Sequence, residues 1–206
     1  MTRPLTVAVV NGSPTERSKT MGLARLVTDA LAARLPIDVR RVDVYGLGPG
    51  LTSAVVREDV TPAVEVEIAA VEAADVVIAA TPVYRASYPG IFKHFFDLVG
   101  QYALANTPVI LVATGGSDRH ALVIEHELRP LFAFFQAATI PVGFYANAGD
   151  FDGDLVLNGE VYSRVEVALD DVIDGFRRIA EAPRPVPPSD AASTPPGHER
   201  AASLDE

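Results

Sequence analysis

The 206-residue chain contains no cysteine. Disulfides, thiolate nucleophiles and cysteine-bearing metal sites are thereby excluded, and the composition suits a reducing compartment. Positive charge is also scarce: 17 lysines and arginines stand against 27 acids, for a net charge of −10. Without a basic stripe to offset phosphate repulsion, nucleic acid is disfavoured as a partner, and so is an anionic membrane surface. No apolar run approaches the roughly 18 residues that a spanning helix needs. The first such run, residues 5–10, is short and no small-residue cleavage site follows it, so it reads as a strand and not as a signal peptide. A soluble, cytoplasmic protein is expected. Several motifs are missing as well. Where a P-loop has its two glycines before Lys-Thr, this chain has Ser13 and Ser18 before Lys19-Thr20. There is no G-x-G-x-x-G, Ser117 does not sit in G-x-S-x-G, and H-E-x-x-H is absent. His120 and His126 would stand about 600° apart on a helix, so they share no metal-binding face.

What is present is 49% apolar residues, enough for a packed α/β core and too many for disorder. The length suits one domain. Residues 75–80 and 108–114 are continuous apolar runs, the pattern of strands buried on both faces. Residues 37–44 (IDVRRVDV) alternate, as a strand near a sheet edge does, and 139–146 read as a fifth strand. Helical patterns occupy 20–35 (ended by Pro36), 63–73, 91–102, 120–137 with Pro130 as a local disturbance, and 161–182. Residues 45–62 read as plain loop, and 147–159 as a polar excursion. From Pro183 onward six of 24 residues are proline, so 183–206 is expected to be a disordered tail beyond a domain spanning 1–182. Five strands alternating with five helices predict a doubly wound, flavodoxin-like parallel sheet of order 2-1-3-4-5. Its ligand would lie beyond the carboxyl ends of strands one, three and four.

Three loops should converge there. GSPTERSKT, opening at Gly12, joins a strand to a helix and offers free backbone amides, the hydroxyls of Ser13, Ser18 and Thr20, and the charges of Arg17 and Lys19. This is a cradle for a mononucleotide phosphate, unless Ser18 only caps its helix and the other hydroxyls are solvated. TPVYRASYPG stiffens Tyr84 between prolines, where it would flank a flat heteroaromatic ring or simply pack on the surface. TGGSDRH lacks side chains at Gly115 and Gly116, so a planar ligand can approach the backbone. The amides beyond it would meet the ligand's carbonyl edge and stabilise negative charge there; the plainer alternative is a glycine turn with a Ser/Asp helix cap.

In this order, at successive strand ends, the three loops resemble the NAD(P)H-dependent FMN reductase family. They look most like the small reductases that supply reduced flavin to alkanesulfonate and methanesulfonate monooxygenases. The resemblance spans residues 5–180 and implies FMN and NAD(P)H as ligands. It implies Ser13, Arg17, Ser18, Lys19 and Thr20 around the FMN phosphate. It implies Pro82, Val83 and Tyr84 along one side of the isoalloxazine, and Gly115, Gly116 and Ser117 at its pyrimidine edge. Relatives often carry an arginine soon after Gly-Ser-Pro; Thr15 and Glu16 stand here instead, leaving open which basic residue meets the phosphate. Hydride would pass from nicotinamide C4 to flavin N5, with no side chain acting as acid or base. Two other readings stay open on the same residues: a quinone, azo-dye or metal-ion reductase with tightly bound FMN, and a non-catalytic, flavodoxin-like electron carrier.

Six of nine phenylalanines fall on the third and fourth helices: Phe92, Phe95, Phe96, Phe132, Phe134 and Phe135. Positions 132 and 134 are about 200° apart, so one ring should point away from its own sheet. A homodimer or homotetramer through these helices is expected. The resemblance adds that relatives pair here with the flavin near the seam. Some carry a tyrosine in a widened helix turn where this chain has His126.

Overall fold

The apolar runs become a twisted parallel sheet with helices on both faces. The computed structural model describes residues 3–183. Its strands are β1 (Leu5–Asn11), β2 (Ile37–Asp43), β3 (Val76–Pro82), β4 (Pro108–Gly115), β5 (Ala138–Thr139) and β6 (Phe144–Asn147), with β7 (Phe151–Asp152) and β8 (Leu155–Val156) forming a separate hairpin. The helices are α1 (Lys19–Ala32), α2 (Pro49–Thr52), α3 (Pro62–Glu72), α4 (Gly90–Asp97), α5 (Arg129–Phe134) and α6 (Gly159–Glu181). The sheet order is β2-β1-β3-β4-β5, the expected doubly wound arrangement, with β6 also parallel to β4. None of the described helices is long and apolar enough to cross a membrane. Except for Pro183, the expected tail lies outside the described residues.

The two-residue period of each strand divides the core. Ala8, Val10, Val77, Ala79, Leu111 and Ala113 face α3, α4 and α5. Leu5, Val7, Val9, Val76, Ile78 and Val112 face α1 and α6. On the first face five phenylalanines interlock: Phe96 meets Phe132 edge-to-face at 4.9 Å and Phe92 at 5.0 Å. Phe92, Phe95, Phe96, Phe132 and Phe135 are buried, while Phe134 is 62% exposed, the outward ring the spacing calls for.

Four expectations need correction. The fifth strand is split into β5 and β6, because Pro141 in the gap has no N–H for the ladder, and a side chain at Gly143 would run into Ile124. The helix expected over 91–102 stops at Asp97; beyond it the Gly100 amide donates to the Glu72 carboxylate of α3 at 2.8 Å instead of continuing the helix. The 120–137 helix is not continuous. A 3₁₀ turn at Asp118–His120 leads to a π turn at Ile124–Leu128, where the Arg129 amide reaches back five residues to the Ile124 carbonyl. The π turn closes at Arg129, directly before Pro130, whose missing N–H cannot bond the His126 carbonyl one turn back, so the local disturbance expected at Pro130 is a widened turn leading into α5. Residues 45–62 are not plain loop either, since they form 3₁₀ turns and α2, led by Pro49.

Candidate functional site

The first loop leaves β1 at Asn11, a buried residue that organises the turn. Its carboxamide oxygen accepts from the Ser13 amide at 2.9 Å and its nitrogen donates to Asp43 at 2.8 Å. Gly12 is required by close approach: a Cβ there would come within 2.6 Å of Phe92. Ser13 is buried beneath the loop, and residues 14–17 are exposed. Ser18 has extended backbone and caps α1, its hydroxyl oxygen accepting from Met21 N–H at 3.2 Å. The capping half of the alternative is therefore realised, with the hydroxyl proton of Ser18 left available, but the other hydroxyls are not simply solvated, since Ser13 and Thr20 are buried. The amides of Lys19 and Thr20 open the helix and have no carbonyl one turn back. Thr20 is buried, its hydroxyl 2.6 Å from that of Thr114 on β4. Lys19 reaches the Ala148 carbonyl at 3.3 Å and lies 5.9 Å from the Phe151 ring centre. Glu16 is drawn aside by Arg41 at 2.8 Å, whereas Arg17 forms no ion pair among the described residues.

The second loop starts beside the third: the Val83 amide donates to the Thr114 carbonyl at 2.8 Å. Tyr84 and Ser87 then exchange backbone hydrogen bonds of 2.7 and 3.2 Å around a two-residue turn, Arg85-Ala86. Tyr84 at the base of this turn is exposed. Its proximity helps burial raise the Tyr45 phenol above its ordinary pKa. Ser87 donates to Glu127 of the π turn at 2.8 Å.

In the third loop the two glycines differ. A side chain on Gly115 would strike the Tyr145 hydroxyl, whereas a Cβ on Gly116 meets nothing within 4 Å. Gly115 is thus demanded by the protein's own packing, and Gly116 opens onto free space. Tyr145, on β6, donates to the Ser117 carbonyl at 2.6 Å, and Asn147 donates to Asp118 at 2.7 Å. Burial, with Asp118 and Asp150 nearby, raises the Tyr145 phenol, so it stays a donor at neutral pH. The sequence reading missed Tyr145. The polar excursion also takes part: Ala148 and Phe151 hold Lys19, and Asp154 pairs with Arg25 at 2.5 Å.

The site residues thus fall into three groups at the carboxyl edge of the sheet: Ser13, Arg17, Ser18, Lys19 and Thr20 beyond β1, Pro82, Val83 and Tyr84 at the end of β3, and Gly115, Gly116 and Ser117 at the end of β4. On one flank lies a groove of about 630 Å³ between α4 and the π–α5 segment, lined among others by Tyr88, Phe96, His126, Glu127, Leu131 and Phe134. The π turn that carries His126 forms part of its wall.

Comparison with known proteins agrees with this layout. Residues 5–152 match the family described as NADPH-dependent FMN reductase. The chain is 42% identical over 170 residues to an NADH-dependent FMN reductase, SfnF, of Pseudomonas fluorescens, covering 82% of this chain and 91% of the relative. It is 41% identical, with the same coverage, to an FMN reductase (NADPH) of Pseudomonas aeruginosa. The crystal structure of an apo NADH:FMN oxidoreductase superposes with a TM-score of 0.69 at 29% identity, over 84% of this chain and 89% of that one. Fold, loop order and sequence agree, and the chain belongs to the NADPH-dependent FMN reductase family of oxidoreductases.

Proposed function

We propose that this chain takes reducing equivalents from NAD(P)H to FMN and supplies reduced flavin to a partner flavin-dependent monooxygenase in the cytoplasm. The observation that carries this reading is the convergence of a donor-rich loop, an aromatic loop and a side-chain-free loop at three neighbouring strand ends. The residues fit FMN. Free space over Gly116 admits a flat ring edge, and the start of α1 presents amides and a hydroxyl to a phosphate. Ser13, Arg17, Ser18, Lys19 and Thr20 hold that phosphate. Arg17 supplies the charge, since the Lys19 ammonium already meets Ala148 and Phe151, and Thr20 contributes its amide, its hydroxyl being taken by Thr114. Pro82, Val83 and Tyr84 line one side of the ring, and Gly115, Gly116 and Ser117 its pyrimidine edge. When bound, FMN supplies the hydride acceptor. The chain's own part is to orient the ring and to direct the Gly116 and Ser117 amides at the edge where negative charge develops.

The test is the purified protein with free FMN, FAD or riboflavin and each nicotinamide. Steady NAD(P)H oxidation by a colourless protein that binds riboflavin more weakly than FMN is expected. A protein that stays yellow through gel filtration would instead be a quinone, azo-dye or metal-ion reductase with resident FMN. One that turns over no nicotinamide would be an electron carrier. Equal affinity for FMN and riboflavin would sink the phosphate assignment.

The enzyme also pairs with a second copy through α4 and the π–α5 segment. Support comes from exposed Phe134 on an apolar groove and from the π turn, an inserted residue of the kind that clusters at functional places. The Ser87–Glu127 hydrogen bond links that groove to the aromatic loop, so pairing shapes the flavin site. Light scattering at micromolar concentration should give a dimer or tetramer, and Phe134→Asp should lower both size and activity. A single 21.9 kDa species with full reductase activity would refute the pairing and its link to function.

A further inference from the structure

Nine of the fifteen lysines and arginines among the described residues form ion pairs. The six that do not are Arg17, Lys19, Arg85, Arg119, Arg164 and Arg178. Four of these six stand on the three loops beyond the carboxyl ends of β1, β3 and β4. In a chain of net charge −10, such a concentration of cations without ion pairs among the described residues marks an anion site. Arg17 and Lys19 belong to the first loop and to the flavin phosphate. Arg85 and Arg119 have no task in that reading.

Arg85 carries a second, independent anomaly. It is the first central residue of the tight turn between Tyr84 and Ser87, with φ 50°, and Ala86 follows at φ 72°. Two successive left-handed residues are what an Asn-Gly turn adopts readily and what residues bearing a Cβ resist. The strained turn is clamped at its base by the paired Tyr84–Ser87 backbone bonds and by Ser87 donating to Glu127. A solvent-facing guanidinium, without an ion pair among the described residues, is thus held on a backbone that glycine would relax, and strain of this kind collects at ligand clamps. Arg119 follows the neighbouring strand. Pro82 and Thr114 are in register, so the two loops leave the sheet side by side. Arg119 is exposed, while Asp118 beside it is occupied by Asn147.

We infer that Arg85, with Arg119 on the neighbouring loop, is the seat for the phosphates of the nicotinamide dinucleotide, separate from the Arg17 seat for the flavin phosphate. This rests on the reductase reading, which requires two phosphate-bearing ligands at one edge of the sheet. A dinucleotide brings a pyrophosphate and, in NADPH, a further 2′-phosphate. Both match the planar donor fork of arginine, which delocalised charge and bidentate geometry fit better than they fit lysine.

The experiment compares Arg85→Gly, Arg119→Ala and Arg17→Ala with the wild type by steady-state kinetics for NADH and NADPH, FMN titration and thermal melting. Arg85→Gly should raise the KM for the nicotinamide about tenfold, the loss of one charge-assisted hydrogen bond, with kcat at saturation and FMN affinity changed less than about twofold. Its melting midpoint should hold or rise, because glycine relieves the turn. Arg119→Ala should act in the same direction, and Arg17→Ala should instead weaken FMN. Equal losses for NADH and NADPH assign the pyrophosphate; a loss confined to NADPH assigns the 2′-phosphate. An unchanged nicotinamide KM in the Arg85→Gly, Arg119→Ala double variant would overturn the inference. So would an Arg85→Gly variant whose midpoint and FMN affinity fall together, since that describes a structural residue. A wild type that oxidises neither nicotinamide in the presence of FMN would defeat the reductase reading itself, and the two failures are distinct.

Discussion

At the amino ends of β1 and β3, Arg3 grips Asp75 through two hydrogen bonds of 2.6 and 2.7 Å, and both the amide and the hydroxyl of Thr6 donate to the same carboxylate at 2.8 Å. Nearby Arg34 ties the end of α1 to Glu166 and Asp170 of α6. At the carboxyl ends of the same sheet the arrangement is reversed. There Glu16 is engaged by Arg41 and Asp118 by Asn147, and Arg17, Arg85 and Arg119 form no ion pairs among the described residues. One end of the sheet neutralises its charges internally and gains stability. The other keeps cations, amides and bare glycine surface for anions and a flat ring to satisfy. The difference predicts that substitutions at the two ends separate folding from activity.

The largest effect should come at the open end. Gly116→Val places a side chain where a Cβ meets no atom of the described residues within 4 Å, so the fold should melt as the wild type does while flavin reduction falls at least about a hundredfold. Gly115→Ala is the contrasting variant: its methyl would meet the Tyr145 hydroxyl, so it should cost about 1–3 kcal/mol of stability as well. Unchanged turnover in Gly116→Val would mean that the ring lies elsewhere, and equal melting of both variants would erase the distinction between the two glycines.

At the closed end the effect should be on stability alone. Burial works against the Asp75 carboxylate, but the Arg3 guanidinium and the Thr6 donors outweigh it and bring its pKa down to about 2 from an ordinary 3.8. Because the folded value is the lower one, Asp75 contributes its stability in full above about pH 4. That contribution, about 2 kcal/mol, is lost as pH falls toward 2. Asp75→Asn should remove a similar amount at neutral pH and flatten the acid limb of a denaturation profile, with flavin affinity unchanged. If Asp75→Asn melts like the wild type across pH 2–6, the cluster is not the anchor described above.

The sequence made the open end more legible than its supports. The continuous runs of β3 and β4 can belong only to central strands, and the three loops follow from their ends. The outward ring was legible from helical spacing, and it is Phe134. Tyr145 was not, because an aromatic residue in a short strand reads as core. Its hydroxyl gains a role only when β6 pairs with β4 and brings it under Ser117, a contact 28 residues distant in the chain. Periodicity also failed at residues 118–134. Pro130 signals a disturbance there but not its kind, since a π turn adds one residue without a characteristic residue type. The strained Arg85-Ala86 turn was equally hidden, since its sequence lacks the Asn-Gly signature of that geometry.

The smallest effect tests whether the open end is shaped from beneath. Tyr145 is buried, and its hydroxyl donates to the Ser117 carbonyl at 2.6 Å, fixing the Ser117–Asp118 peptide, the neighbour of the Gly116–Ser117 peptide that carries the Ser117 amide. In Tyr145→Phe the ring still fills its place, while the carbonyl loses one partner at a loop that water can reach. The stability change should therefore stay below about 1 kcal/mol. With that neighbouring peptide released, the Ser117 amide is aimed less firmly and should stabilise the charged edge of the ring less well. FMN affinity or kcat should fall about three- to fivefold, and the midpoint potential of bound flavin should shift downward because the reduced, anionic form loses the better-aimed donor. A variant that lost several degrees of melting temperature with an unmoved potential would show Tyr145 to be a packing residue only. A shifted potential at unchanged melting temperature would place the division between the two ends beneath Gly115, where the protein's own hydroxyl takes the space that Gly116 leaves open.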